Sequence, residues 1–208
     1  ETKINTYSID SDQLISQTAP MFDNDADNSL RKFTNMILHE ADINIDDFNI
    51  EFKDISQEQF LQQVPQELRG LISTIPAAMN KAVKIETVHS IVDDGIAKQY
   101  NLSLMEESQG TRNLFLFSPV LKRAFETGET LCIDEFDASL HPMLVRYLFS
   151  LFNNPDINKA HAQLIVSSHS LVLMSLKNLR RDQIYFVEKD RKTGKSELYS
   201  LDEFSPRK

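Results

Sequence analysis

Two adjacent carboxylates close an apolar run in this chain, Leu131-Cys132-Ile133-Asp134-Glu135-Phe136-Asp137. Taking a carboxylate out of water is costly unless a cation or polar partner receives it, so acids at the mouth of a buried strand mark a place where chemistry can happen. At the carboxyl end of a parallel strand the chain opens into the crevice where α/β sheets bind ligands. There Asp134 can hold a Mg²⁺ ion, and Glu135 can orient and deprotonate a water. The plain alternative is a pair of solvent-facing acids at a strand end, and Asp-Glu alone does not choose between the two.

A second apolar run ends in polar groups in the same way, Ile165-Val166-Ser167-Ser168-His169-Ser170. It follows Asp134 at about the length of one βαβ unit, roughly 30 residues or a little more, so the two strand ends can lie side by side. A lone histidine is usually structural; one beside an Asp-Glu pair is a candidate for contacting a phosphate. The third cluster is Glu106-Glu107-Ser108-Gln109-Gly110-Thr111-Arg112, just before a helix. Backbone N–H groups at a helix start, a hydroxyl, and a glycine that permits close approach together suit an anion. Ser108 serving simply as a helix N-cap is the commoner arrangement.

The elements needed to position these groups are legible around them. A helix is expected from Thr111 to Thr127, stopped by Gly128, followed by a buried strand Thr130–Asp134. Pro142 opens a helix whose apolar residues Leu144, Tyr147, Leu148, Leu151 and Phe152 carry it to Asn153. Gln163–Ser168 reads as a second buried strand and Leu171–Leu179 as another helix. Gln183–Lys189 and Glu197–Leu201 read as strands joined by a polar turn. Strand, helix, strand, helix, strand predicts an α/β fold with parallel core strands and flanking helices. Upstream, Ser29–Glu40 has helical spacing, 43–52 ends as an alternating strand, and 56–80 is helical but broken by Pro65 and Pro76. Residues 84–89 and 97–102 flank Asp93-Asp94-Gly95 as a hairpin. Residues 1–27 are polar, with Asp23, Asn24, Asp25, Asp27 and Asn28 forming a loop or helix-entry cluster. The division expected is a helical and hairpin subdomain over 1–104 and a second lobe over 105–208.

Composition narrows the function classes. The chain has 208 residues, 41% hydrophobic and 25% charged, which is an ordinary globular balance. No apolar run is long enough to span a bilayer, and no signal-peptide pattern opens the chain. The missing initiator Met suggests a fragment or a trimmed chain. A single cysteine, Cys132, excludes a disulfide scaffold and fits a reducing cytoplasm. The net charge of −9 lies wholly in residues 1–60, where 13 acids face 4 bases. That argues against this third of the chain lying on DNA or an anionic membrane. Several other residues have unremarkable readings. Cys132 reads as a small core side chain, His89 and His161 as surface residues, and His39 as favouring a helix end; His141 can cap the Pro142 helix or approach an opposite subunit, and Arg180 and Arg181 read as a solvated helix end more readily than as a nucleic-acid contact.

Taken in order, the three clusters resemble the ABC-type nucleotide-binding ATPases, the broad group that includes SMC-like proteins. LCIDE is similar to the Walker B strand, ESQGT to a variant signature motif, FDASLHP to the D-loop region, and IVSSHS to the switch-histidine loop. The closer resemblance is to bacterial AAA/ABC-like ATP-binding proteins of abortive-infection, retron-associated and other phage-defence operons, which also carry a late segment like Arg180-Arg181-Asp182-Gln183-Ile184-Tyr185-Phe186-Val187-Glu188-Lys189-Asp190. The resemblance covers about 104–206, and loosely 29–104. It implies ATP and Mg²⁺ as cofactors and two copies paired head to tail around two nucleotides. Asp134 would orient the metal, Glu135 would be the general base, and His169 would contact the γ-phosphate. Ser108 and Gly110 would grip the nucleotide of the other subunit, and Asp137 and Ser139 would lie at the dimer contact.

One part is missing from these residues. Phosphate cradling needs G-x-x-x-x-G-K-[ST] on a strand–loop–helix, and no such match exists. Gly194-Lys195-Ser196 is a decoy, because Asp190–Lys195 reads as a hairpin turn. The resemblance therefore implies the C-terminal lobe of a longer ATPase, with the Walker A loop upstream. An effector nuclease or toxin partner and a nucleic acid bound through other parts of the protein are further expectations. Two other readings compete: a metal-dependent nuclease using Asp134, Glu135, Asp137 and His169, and a non-catalytic scaffold for a toxin or nuclease.

Overall fold

The structure is a computed structural model that describes residues 4–7, 11–41, 43–54, 81–93, 96–137, 140–169 and 179–204. The expected helix within 56–80, residues 171–178 of the expected helix 171–179, the turn residues Asp94 and Gly95, and Ser139 lie outside them. The chain divides into two compact units, one made of residues 9–123 and the other of residues 1–8 together with 124–208. This division differs from a boundary at 104/105. It falls inside a helix, and it assigns the first residues of the chain to the same unit as the last.

In the 9–123 unit, α1 (Ser11–Asp23) and α2 (Ser29–Glu40) accompany an antiparallel sheet of β2 (Asp47–Asp54), β3 (Lys81–Asp93) and β4 (Ile96–Ser103), with β3 central. Leu30, Thr34, Ile37 and Leu38 form the buried stripe of α2, at the spacing an amphipathic helix requires. The start of α2 is capped from a distance. Asn28 takes a left-handed backbone and caps nothing, while the Asp25 carboxylate accepts the N–H groups of Leu30 and Arg31 at 3.0 and 2.8 Å. Arg31 ties α2 to β2 by a 3.0 Å ion pair with Asp47 and lies over the Phe48 ring at 4.6 Å. The first part of α3 (Gln109–Thr127) supplies the core. Leu114, Phe115, Leu116, Phe117, Val120 and Leu121 are all buried, and Phe115 meets Phe22 and Phe48 with ring centroids 5.5 and 4.8 Å apart. Each such aromatic contact is worth about 0.5–1.5 kcal/mol beyond area burial. Pro119 sits inside this helix.

The other unit contains a parallel sheet in the order β1-β5-β6, formed by β1 (Ile4–Tyr7), β5 (Thr130–Ile133) and β6 (Gln163–Val166). The α/β class with parallel core strands and flanking helices is as expected. Three features differ from the sequence reading. Residues 4–7, read from the sequence only as polar, are a sheet strand, in register Ile4 to Thr130 through Tyr7 to Ile133. The β6 strand is half exposed, not buried, and among the described residues it pairs only with β5; Ile165 is 58% exposed. The strand β7 (Tyr185–Lys189) pairs antiparallel with β8 (Ser196–Ser200) in a separate two-stranded sheet instead of extending the parallel one. The turn between them is the expected decoy: Asp190 accepts the N–H groups of Lys192 and Thr193, and Gly194 supplies a φ of 70°.

Local chemistry fixes where β5 begins and ends. Gly128 closes α3 with a left-handed φ of 75°, its N–H bonding the Ala124 carbonyl at 2.8 Å. Buried Asn158 bonds the Phe152 and Ala162 carbonyls and accepts the Ala162 N–H, which pins the approach to β6. Between the strands runs α4 (Pro142–Asn153), with Pro142 at its first turn and the His141 ring nitrogen accepting the Met143 N–H, as expected. Cys132 is half-buried. Among the described residues no helix is long and apolar enough to cross a membrane.

Candidate functional site

The carboxyl ends of β5 and β6 lie next to each other, in register Ile133 to Val166. One further rung extends the pairing: the Ser167 N–H bonds the Ile133 carbonyl, and the Phe136 N–H bonds the Ser167 carbonyl, each at 3.1 Å. Asp134 and Glu135 are held inside that closed loop. The Ser167 hydroxyl donates to the Asp134 carboxylate and accepts the Glu135 N–H at 2.9 Å. One side chain thus fixes both acids.

Glu135 has a φ of 47°, a left-handed conformation that a non-glycine residue adopts at a cost of about 1 kcal/mol or more. Two flanking anchors enforce it. On one side is the Ser167 hydroxyl; on the other, Phe136 is 1% exposed and its ring lies 5.8 Å from that of Phe149 in α4. With Phe136 buried and Ile133 buried, Asp134 and Glu135 are turned out to solvent. Asp137 is half-buried just beyond them, and His169 is exposed two residues past Ser167.

Asp134, Glu135 and the Ser167 hydroxyl form a hard-oxygen donor set. It suits Mg²⁺, which takes one or two carboxylates, keeps several waters and relies on substrate phosphates for the rest. Among the described residues there is no group of three His, Cys, Asp or Glu side chains arranged to hold a metal by themselves.

Ser108 and Gly110 belong to the other unit, at the start of α3. Ser108 is the helix cap: its hydroxyl accepts the Thr111 N–H at 3.2 Å and lies 2.8 Å from the Thr111 hydroxyl, while its carbonyl accepts the Arg112 N–H. It remains exposed.

Two residues that sequence reasoning passed over stand beside the predicted ones. Ser167 was only part of a polar strand end. His89, expected on the surface, is 8% exposed and is bonded at 2.7 Å to Glu107, the residue preceding Ser108. A signal for it was present: Ile85, Thr87 and His89 alternate on one face of β3, and all three are buried. His161 is exposed as expected. Arg180 is paired with Asp182, and Arg181 bonds the carbonyls of Leu201 and Phe204.

A parallel sheet whose neighbouring strands end in fixed acids and a hydroxyl defines an α/β ligand-binding domain of the nucleotide-binding kind. The family described as "AAA domain, putative AbiEii toxin, Type IV TA system" matches residues 4–175, and the chain belongs to it. It is thus an AAA domain. Among curated proteins none matches. Among solved structures it is similar to the SMC head domain of Pyrococcus furiosus, described with an extended coiled coil and bound to the C-terminal domain of ScpA. The identity is 16% and the TM-score 0.45, over 83% of this chain and 34% of that one. The chain spans about a third of the length of that relative.

Proposed function

We propose that this chain supplies the Walker B, signature and switch-histidine half of an ATP-hydrolysing ATPase. The observation that carries the reading is the Ser167 bridge, which aims Asp134 and Glu135 outward from adjacent parallel strand ends in a chain of the AAA family. Asp134 would hold Mg²⁺, which when bound would supply positive charge to offset that of the phosphates. Glu135 takes the proton of the attacking water. His169 donates to the γ-phosphate. Phosphoryl transfer asks mainly for positioning and charge stabilisation, so a short list of fixed oxygens and donors is enough.

Two copies pair head to tail, with Ser108 and Gly110 of one facing the nucleotide bound mainly by the other, and Asp137 and Ser139 at the contact. The phosphate cradle comes from another segment of polypeptide, because the 208 residues hold no Gly-rich Lys-Ser/Thr loop. The assembly controls an effector nuclease or toxin in antiviral defence.

The test is Glu135→Gln in the complete protein. The amide keeps the shape and loses the base, so ATP binding persists, turnover falls by about 10²–10⁴-fold, and the ATP-bound dimer accumulates. Equal loss of binding and turnover refutes the general-base role. Cleavage of DNA with Mg²⁺ or Mn²⁺ and no ATP would instead favour a nuclease.

A further inference from the structure

We infer that His89 is a positioning residue for the signature serine, acting through Glu107. The inference rests on the proposed role of Ser108 at a partner's nucleotide.

Glu107 would ordinarily face water, yet its side chain is only 10% exposed. Its Oε1 lies 2.7 Å from His89 Nε2 and 2.6 Å from the hydroxyl of Thr87, which is fully buried. Thr87 also lies 3.1 Å from His89 Nε2 and 3.2 Å from the Leu102 carbonyl, joining β3 to β4. The imidazole stacks on Tyr100, its cross-strand partner in β4, at 5.1 Å and 14°. The rotamer of His89 is thereby fixed from two strands.

The chain between this anchor and Ser108 has little slack. Leu104–Glu106 is a 3₁₀ turn with a reciprocal cap: the Ser103 hydroxyl accepts the Met105 N–H, and the Glu106 carboxylate accepts the Ser103 N–H. The Glu107 N–H bonds the Leu104 carbonyl, and Arg112 reaches back to the Met105 carbonyl at 3.2 Å. Ser108 follows at once and caps α3. Where Glu107 points therefore sets where the Ser108 hydroxyl and the first N–H groups of α3 stand. A buried carboxylate stripped of its imidazole partner moves toward water, and Ser108 moves with it. His89 touches no nucleotide in this scheme; it acts through Glu107.

The experiment uses the complete protein and two readouts: Mg-ATP affinity of the monomer at dilution, and the ATP concentration giving half-maximal dimerisation by light scattering. His89→Leu should leave monomer affinity within twofold and raise the dimerisation midpoint about tenfold. His89→Gln, which keeps an N–H donor for Glu107, should restore the midpoint to within about threefold. Ser108→Arg in parallel should abolish dimerisation. If His89→Leu folds and leaves the midpoint unchanged while Ser108→Arg abolishes dimerisation, the positioning role is overturned and the signature reading stands. If Ser108→Arg also dimerises normally, the signature reading itself fails. If His89→Leu lowers both affinities alike, its role is structural and the inference falls. Should His89→Leu not fold, Glu107→Gln is read by the same criteria, and an unchanged midpoint overturns the proposal equally.

Discussion

Removing a single hydroxyl tests the construction of the site more sharply than removing an acid. Ser167→Ala deletes two bonds at once, one donated to the Asp134 carboxylate and one accepted from the Glu135 N–H at 2.9 Å. Buried, a bond to a charged group contributes about 1.5–3 kcal/mol and a neutral one about 0.5–1.5 kcal/mol. Asp134, Glu135 and Ser167 are all exposed, so water replaces part of each bond, and about 1–2 kcal/mol is the expected net for the pair. The backbone rungs through Ser167 N–H and carbonyl survive in alanine, so the fold should hold. What is lost is the constraint that keeps Glu135 left-handed, and with it the aim of the proposed base. If the whole of that loss reaches the transition state, turnover falls about 5–30-fold while ATP affinity stays within twofold. Ser167→Thr, which retains the hydroxyl, should stay within about threefold of the unmodified protein. Phosphate release under saturating Mg-ATP, with a parallel binding titration, reads both quantities. Turnover within twofold of normal for Ser167→Ala would show that Phe136 alone holds the turn; a drop in affinity equal to the drop in turnover would mean that the bridge serves folding, not catalysis.

Three other outcomes are expected. Gly128→Ala combines a left-handed backbone with a new Cβ placed 2.6 Å from the Ala160 carbonyl oxygen, a backbone atom; a loss of about 2 kcal/mol or more is expected, seen as a drop of roughly 4–8 °C in a thermal melt, and a drop under 1 °C would refute it. Burial pushes the Asp47 carboxyl up, but its bonds to Asn35 and Arg31 outweigh this and hold it below the usual 3.8. A folded value below the unfolded one gives stability that is complete above the unfolded value and is lost as pH falls through the folded one. Because Asp47 is 46% exposed, Asp47→Asn should cost no more than about 1 kcal/mol in urea melts at pH 7, with the gap closing below about pH 4; a pH-independent gap contradicts the assignment. Finally, calorimetry on these 208 residues alone should show no Mg-ATP binding tighter than about millimolar (on the order of −4 kcal/mol), and micromolar affinity would mean that a phosphate cradle had been missed.

What could be read from the chain follows the range of the signals. The α2 stripe, the β3–β4 hairpin, the Gly128 stop and the Pro142 start are written within a few residues of themselves, and each is found where the pattern puts it. Long-range pairing is not written that way. Ile4-Asn5-Thr6-Tyr7 has too little alternation to announce a strand, and its partner is β5, far along the chain. The apolar run of β6 tells of burial but not of position, and with β5 as its one partner among the described residues the strand stays half open. At the site, the types and order of Asp134, Glu135 and His169 were legible. The Ser167 bridge and the inward turn of Glu107 were not, because both are contacts between elements: Ser167 lies 33 residues from Asp134, and Glu107 lies 18 from His89.

The pairing of β1 with β5 also bears on how the molecule is made. Asn5 bonds Glu129 across 124 residues, and the 9–123 unit lies wholly between the two parts of the other. A ribosome adds about 5–20 residues each second, so β1 waits roughly 6–25 s for its partner to be synthesised. The interposed unit has all its residues by then and can fold as it emerges. The parallel sheet cannot close until β5 has cleared the exit tunnel, and contacts of such long range close slowly. During vectorial synthesis the Asp134–Ser167 arrangement is therefore among the last features to form, and a nascent chain stalled before residue 130 would carry the Ser108 helix cap and the His89–Glu107 pair but neither Asp134 nor Glu135.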